Sequence, residues 1–167
     1  MFFARIGREL LQAKTKTARS LVIDQLCADL RTRRPSDPEF DEAFGQITYT
    51  DKYTAEKRLV QYVLTRLYKH ESKTTAVDFS HMTIEHLSSQ ANGTGQVGRI
   101  GNLLLVTEAL NTKLDSKPWA KKRALLKAAN DQWVPDDVLK ATKWDNAAIK
   151  KRTASLAELG RTKVWAG

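Results

Sequence analysis

The chain has 167 residues, of which 41% are hydrophobic, and this apolar fraction excludes a globally disordered protein. Its formal net charge of +9 favours a polyanionic partner, and its single cysteine, Cys27, excludes both an internal disulfide and a cysteine-based zinc site. No apolar run is as long as a membrane span, and the apolar start Met1–Phe3 is too short for a signal peptide. We therefore expect a cytoplasmic protein.

Residues 1–75 predict a helical lobe. Apolar side chains recur near helical spacing between Ile6 and Leu30, and Cys27 in this stretch is expected to be a buried thiol. Ser36–Pro38 is a helix start signal, because a capping residue precedes a proline. Thr54 is the predicted cap of a strong amphipathic helix. The apolar side of that helix is formed by Leu59, Val60, Val63, Leu64, Leu67 and Tyr68.

Residues 79–111 have a different pattern. Met82–Leu87 predicts a short strand, and Ile100–Val106 predicts a second one. Ser88–Gly98, which lies between them, contains three glycines and little apolar content, so it predicts a loop. A helix is expected around Asn111. This order predicts a β-hairpin followed by a helix.

Residues 112–167 return to a helical pattern and carry 13 Lys/Arg against 6 Asp/Glu, so most of the net charge lies here. Pro118 stands at the start of a predicted helix that runs to about Ala129. Pro135 begins a short helix, and Asp145 caps a last helix that Gly160 ends. The whole chain is therefore interpreted as α+β, mostly α.

One acid, one histidine and two asparagines stand out in the hairpin and its helix. Glu85 and His86 are adjacent near the end of the first strand, Asn102 opens the second apolar run, and Asn111 follows it. Phosphodiester hydrolysis needs a general base and a cation that absorbs negative charge. A histidine suits the first need, and Mg²⁺ held by carboxylate and amide oxygens suits the second. We assign His86, Asn102 and Asn111 as the catalytic set, with Glu85 and Asn111 as metal ligands and Asn102 as a tether for the loop beside His86.

These segments resemble the HNH, or ββα-metal, endonucleases. The similarity is greatest to the C-terminal HNH domain of GmrSD-type modification-dependent restriction enzymes and of the related SspE-type phage-defence proteins. In that family a proline commonly stands three residues after the histidine, where this chain has Ser89. The resemblance rests on Ile84–Leu87, Ile100–Leu103 and Asn111–Leu114, and continues through Pro118–Trp119, Lys122, Trp144, Ile149, Arg152 and Trp165.

The resemblance implies a ββα-metal hairpin-helix core embedded in helices, with residues 76–167 as the HNH nuclease core. It implies a hydrolase that uses Mg²⁺ or Mn²⁺ to nick double-stranded DNA, modified or unmodified, in a bacterial restriction or anti-phage defence system. It also implies a partner, either an N-terminal NTPase or sensor domain or a separate subunit. This chain itself contains no Walker-type phosphate loop.

Basic residues that follow the motif predict a track for DNA phosphates. The alternative interpretation is a solvated helix face. His70 and His81 are expected to be solvent-exposed, and the four tryptophans are expected to lie in the core. The predicted DNA-binding residues are Lys113, Lys117, Lys121, Lys122 and Arg123. An inward orientation of Lys122 stays open, because the resemblance to the family extends to this position.

Two other functions stay open on the sequence alone. One is a basic DNA-binding or partner-binding module whose nuclease site is non-functional. The other is an RNA-directed nuclease, although the chain lacks an aromatic-rich platform for single-stranded bases.

Overall fold

The computed structural model describes residues 2–72, 78–79, 81–92 and 96–166. Contacts divide the chain into two units, residues 1–36 and residues 37–167. The boundary predicted at residue 75 stays a prediction of domain organisation. In the structure, the second unit already begins at Asp37.

The first unit consists of two helices, α1 (Phe2–Gln12) and α2 (Lys16–Thr32). Thr15 caps α2, because its side-chain oxygen accepts a hydrogen bond from the backbone N–H of Ala18 at 3.1 Å. The prediction that Cys27 is buried is wrong, since its side chain is exposed. Every residue of α2 is described and none is buried, because a unit of this size has little interior.

The second unit surrounds a two-stranded antiparallel sheet with helices, which confirms the predicted α+β, mostly helical fold class. Short 3₁₀ turns occur at Gln90–Asn92 and Ile100–Asn102, and a π-helical turn at Gly160–Val164 follows the last helix. The elements are α3 (Asp37–Gln46), α4 (Lys57–Ser72), β1 (Thr83–His86), β2 (Leu103–Val106), α5 (Glu108–Leu114), α6 (Trp119–Ala128), α7 (Asp136–Lys140) and α8 (Asn146–Leu159).

The two strands pair in a register that runs from Thr83 opposite Val106 to His86 opposite Leu103. All four residues of β2 are buried, so this strand passes through the centre of the core. Helix α4 packs on it with most of the predicted apolar side, namely Val60, Val63, Leu64, Leu67 and Tyr68. The prediction for Leu59 is wrong, because its side chain is exposed. The predicted hairpin, with a helix after its second strand, is present in the described part of the chain.

The second strand is shorter than predicted, because Ile100–Asn102 forms a 3₁₀ turn before β2 begins. This turn packs closely against α8. A Cβ built on Gly101 would lie 2.3 Å from the carbonyl oxygen of Ile149, so only glycine allows the approach. The close packing of the turn on the helix has replaced three residues of the expected strand.

Tryptophans complete the core of the second unit, as predicted. Trp119 packs on Trp144 with ring centroids 4.8 Å apart, and Trp133 meets the ring of Tyr68 at 5.1 Å. Trp165 contacts the ring of Phe40 at 6.3 Å. Across the described segments, none of the helices has the length and apolar character that a bilayer crossing requires.

A buried arginine links α8 to the start of β2. The Arg152 guanidinium donates to the carbonyl oxygens of Gly101 at 2.9 Å and Leu103 at 2.8 Å. It also donates to the Asp137 carboxylate at 2.9 Å and to the Tyr68 hydroxyl at 3.2 Å. These four bonds hold β2 in place, and β2 in turn positions β1 and the residues at its end.

Candidate active site

An open cleft of ≈ 730 Å³ lies beside the end of β1. It is bordered by residues from β1, α5 and α6, together with Asp51 from the segment before α4 and residues 89–91 after the strand. The side chains that matter for chemistry are Asp51, Glu85, His86, Gln90, Asn111, Asp115 and Lys122.

His86 is the last residue of β1 and is 7% exposed. Its ring contacts Tyr49, which lies outside the hairpin in the segment before α4. Its Nε2 lies 2.9 Å from the carbonyl oxygen of Tyr49, and the two rings stack at 5.7 Å. A carbonyl only accepts hydrogen bonds, so Nε2 carries the proton and Nδ1 keeps a lone pair. Burial lowers the pKa of His86, which favours the neutral imidazole that a general base requires.

The Tyr49 carbonyl is itself fixed by the segment around it. The backbone N–H of Tyr49 donates to the carbonyl oxygen of Gly98 at 2.9 Å. The neighbouring residue Thr48 forms an isolated antiparallel bridge with Arg99. This short pairing holds the segment before α4 against the chain that leads into β2, and thereby aims the Tyr49 carbonyl at His86.

Gln90 covers the other nitrogen of the imidazole. Its Nε2 lies 3.4 Å from Nδ1 of His86 and also donates to the Asp51 carboxylate at 2.9 Å. The backbone N–H of Asp51 returns a hydrogen bond to Oε1 of Gln90 at 3.0 Å. Sequence reasoning missed both residues, because single polar residues in loops carry no pattern.

Asn102 lies behind the cleft and is 0% exposed. Its Oδ1 accepts from the backbone N–H of Ser88 at 2.7 Å and from Nε1 of Trp144 at 2.9 Å. Its Nδ2 donates to the carbonyl oxygens of Ser88 at 2.9 Å and Val97 at 2.7 Å. Asn102 is therefore placed to tether both ends of the loop after His86, and its burial keeps it from touching a substrate.

Asn111 borders the cleft from α5, and Thr107 caps that helix by accepting from the backbone N–H of Leu110. The Asn111 side chain donates through Nδ2 to Oγ1 of Thr83 at 2.9 Å. Thr83 and Glu85 lie two residues apart on β1, so they share one face of the strand. The structure thus brings Asn111 to the face of β1 that carries Glu85.

Glu85 is 6% exposed and forms a buried ion pair with Lys122 of α6. The Lys122 ammonium donates to Oε1 of Glu85 and, at 2.7 Å, to the backbone carbonyl of His86. Burial raises the pKa of the Glu85 carboxyl, and the hydrogen bond and charge of Lys122 oppose that rise. The pairing was not foreseen from the sequence.

Lys122 and Arg123, two of the five residues predicted to bind DNA phosphates, form hydrogen bonds within the protein. Lys122 is 1% exposed and pairs with Glu85, so the prediction that it contacts phosphates is wrong. Arg123 is half-buried and donates through Nε to the carbonyl oxygen of Leu139 at 3.2 Å. Lys113 and Lys121 are exposed, and Lys117 is half-buried.

The oxygen atoms in the cleft determine whether the predicted Mg²⁺ site is chemically possible. Across the described residues, no group of three His, Cys, Asp or Glu side chains converges on a common point. The oxygen donors that line the cleft include the carboxylates of Asp51, Glu85, Glu108 and Asp115 and the amide of Asn111, and the predicted ligands are Glu85 and Asn111. Mg²⁺ keeps several waters and takes one or two carboxylates from a protein, so this small set of hard oxygen donors fits it.

His70 and His81 are both exposed, as expected. Nε2 of His81 lies 3.7 Å from the carboxylate of Asp78, in a pair that is open to solvent. Neither histidine borders the cleft described above.

Comparison with known proteins identifies a family for the larger part of the chain. The family model for the C-terminal domain of GmrSD restriction endonucleases matches residues 34–159. Comparisons with curated proteins and with solved structures gave no match. The matched range contains both strands, helices α3 to α8 and every residue of the cleft. The match confirms the resemblance to GmrSD C-terminal domains that was drawn from the sequence, and the chain belongs to the family of GmrSD restriction endonuclease C-terminal domains.

Proposed function

We propose that this chain is an HNH-type, metal-dependent DNA endonuclease domain that cuts one strand in each event. The observation that carries this proposal is His86 at the end of β1, with Nε2 engaged by the Tyr49 carbonyl and Nδ1 left as the basic nitrogen. Family membership supports a nuclease, and the cleft supplies one base and two oxygen donors for its chemistry.

In this mechanism, Nδ1 of His86 takes the proton from a water molecule that attacks the phosphorus, and the bond between the phosphorus and the 3′ oxygen breaks. The Tyr49 carbonyl holds the imidazole in the required tautomer and stabilises the imidazolium that forms. Nε2 of Gln90 lies 3.4 Å from Nδ1, so this mechanism requires Gln90 to give way to the water. Glu85 and Asn111 would hold the metal ion, which supplies charge stabilisation for the phosphoryl group and the leaving oxygen.

The experiment that tests the proposal is cleavage of supercoiled plasmid DNA with Mg²⁺, with Mn²⁺ and with a chelator. We expect open circular product with either metal and none with the chelator. The resemblance to the family implies DNA, modified or unmodified, as the substrate and an NTPase or sensor as a partner. The assay is therefore run with modified and with unmodified DNA, and also with that partner present. If bound DNA stays uncut under all of these conditions, the chain is a binding module with a non-functional nuclease site.

The proposed metal ligands predict a shift in metal dependence. Glu85→Gln and Asn111→Ala should each raise the Mg²⁺ concentration that gives half-maximal cleavage, because each weakens or removes an oxygen ligand. Glutamine is chosen at position 85 because its amide oxygen still accepts a hydrogen bond from Lys122. Metal titration of the cleavage rate measures the effect. An unchanged titration midpoint in both variants would place the metal elsewhere.

The exposed lysines predict a change in the salt dependence of DNA binding. Reversing the charge of Lys113 and Lys121 should weaken binding, because both side chains are exposed next to the helices that form the cleft. Every phosphate that the protein no longer neutralises should lower the slope of log affinity against log salt by about 0.9 for duplex DNA. The double variant Arg66→Glu/Lys69→Glu, at two exposed positions on α4, is the matched control for overall charge. Equal slopes for the variant at Lys113 and Lys121 and the wild type would remove this track from the proposal.

A further inference from the structure

Lys122 is a buried cation in the wall of the proposed active site. It borders the cleft but is only 1% exposed, so its ammonium cannot serve as a surface contact for DNA. It lies on the buried side of α6, together with Leu126 one helical turn later. A lysine at such a position loses its hydration and needs strong partners in return.

The partners of Lys122 are the two consecutive site residues of β1. One hydrogen bond goes to the side chain of Glu85, and the other, at 2.7 Å, goes to the main chain of His86. The first fixes the carboxylate rotamer of the proposed metal ligand. The second fixes the peptide carbonyl at the point where the chain leaves the strand for the loop. A single ammonium therefore sets both a ligand and the backbone that carries the base.

Stability alone gives a weak reason for such a pair. Desolvation of two buried charges offsets most of their attraction, and well-packed apolar residues of similar size often stabilise a core equally well. A functional reason is available here, because carboxylates that ligate metals are usually held by hydrogen bonds from neighbouring groups. Lys122 donates to Oε1 of Glu85 and thereby fixes which carboxylate oxygen faces the ammonium.

We infer that Lys122 is a positioning residue of the active site, which holds Glu85 and the His86 backbone in the arrangement needed for metal binding and cleavage. This inference rests on the proposed function. It gives Lys122 a role other than DNA binding. Lys121 is exposed to solvent, whereas the buried Lys122 contacts the residues of the proposed site.

The first test compares Lys122→Met with Lys127→Met, an exposed lysine on the same helix. Circular dichroism and thermal unfolding establish that both variants fold. We expect Lys122→Met to bind DNA within about twofold of wild type but to cleave it about 10- to 100-fold more slowly at saturating DNA, the range typical for groups that hold metal ligands. Lys127→Met should behave as wild type. A folded Lys122→Met protein that cleaves at the wild-type rate overturns the inference while leaving the nuclease proposal intact.

A binding readout separates this inference from catalysis. Mn²⁺ affinity, measured by electron paramagnetic resonance of the free ion, should fall at least about tenfold in Lys122→Met, because Glu85 loses its orientation. Tighter Mn²⁺ binding with rapid cleavage would show that Lys122 competes with the metal, and would overturn the inference. A wild-type chain that binds Mn²⁺ but does not cut DNA would refute the proposed function alone. A wild-type chain that binds no Mn²⁺ would refute the metal site and, with it, the role of Lys122.

Chemical rescue provides a test where a substitution alone is ambiguous. Lys122→Ala removes a propylammonium group from the wall of the cleft, and n-propylamine can occupy that space. We expect n-propylamine, but not n-propanol, to restore cleavage and Mn²⁺ affinity in this variant. The same amine should have a smaller effect on Lys122→Ala in a Glu85→Gln background, where only uncharged acceptors are left to bind it. Equal responses to the amine and the alcohol would reduce Lys122 to a packing role.

Discussion

Replacing His86 with alanine is expected to slow DNA cleavage by a factor of about 10² to 10⁴, the usual cost of losing a general base. The reason lies in the geometry of the cleft, where the Tyr49 carbonyl engages Nε2 and leaves Nδ1 as the proton acceptor. DNA affinity should stay close to wild type, because His86 is 7% exposed and offers little surface to the backbone of the nucleic acid. Plasmid nicking under single-turnover conditions measures the loss.

A histidine outside the cleft serves as the control for that experiment. His70 lies in the last turn of α4 and is exposed, so His70→Ala should cut at the wild-type rate. The His86 variant also loses the hydrogen bond to Tyr49, so its unfolding curve should be recorded alongside the rate. Wild-type cleavage by a folded His86→Ala protein would show that another group is the base.

Replacing Arg152 with methionine is expected to lower the free energy of unfolding by about 2–6 kcal/mol, since each of two buried carbonyl oxygens left without a donor costs about 1–3 kcal/mol. The substitution leaves two buried carbonyl oxygens, those of Gly101 and Leu103, without the donor they have in the native structure. A loss of this size is a large part of the total stability of a typical domain. Urea unfolding followed by circular dichroism measures it.

The partner of Arg152 offers a milder variant for comparison. Asp137 is about half exposed, so water can replace much of the hydrogen bonding that its carboxylate offers to Arg152. Asp137→Asn should therefore cost about 1 kcal/mol, close to the value of an ordinary hydrogen bond. If Arg152→Met is no more destabilising than Asp137→Asn, the bonds to the two carbonyls contribute little, and β2 is held by its apolar contacts instead.

Local signals predicted much of the fold. Asp145 caps α8 as expected, since its carboxylate accepts from the backbone N–H of Ala148 at 2.9 Å, and Gly160 is the C-cap of the same helix. The hairpin was predicted from two short apolar runs separated by a glycine-rich loop, and the helix that carries Asn111 was predicted directly after it. Such features depend on residues close together in the chain, which sequence patterns record well.

The missed features depend on packing between distant segments. Lys121, Lys122 and Arg123 form a run that is typical of a solvated helix face, yet Lys122 is buried. The position did hold a signal, because Lys122 and Leu126 are one turn apart and share a helical face. Its partner Glu85 lies 37 residues earlier, and no local pattern indicates that two such distant charges meet. The Tyr49 carbonyl was missed for the same reason.

That carbonyl has a consequence for how the motif can be used. The acceptor for Nε2 of His86 comes from the main chain 37 residues upstream, so any amino acid at that position offers the same oxygen. Neither a motif search nor a comparison of side chains can detect this main-chain oxygen. A fragment cut at residue 76 would retain Glu85, His86, Asn102 and Asn111 and still lack the group that orients the imidazole. The four-residue signature is thus not a transplantable module, and an excised or grafted version must bring along the stretch that precedes α4.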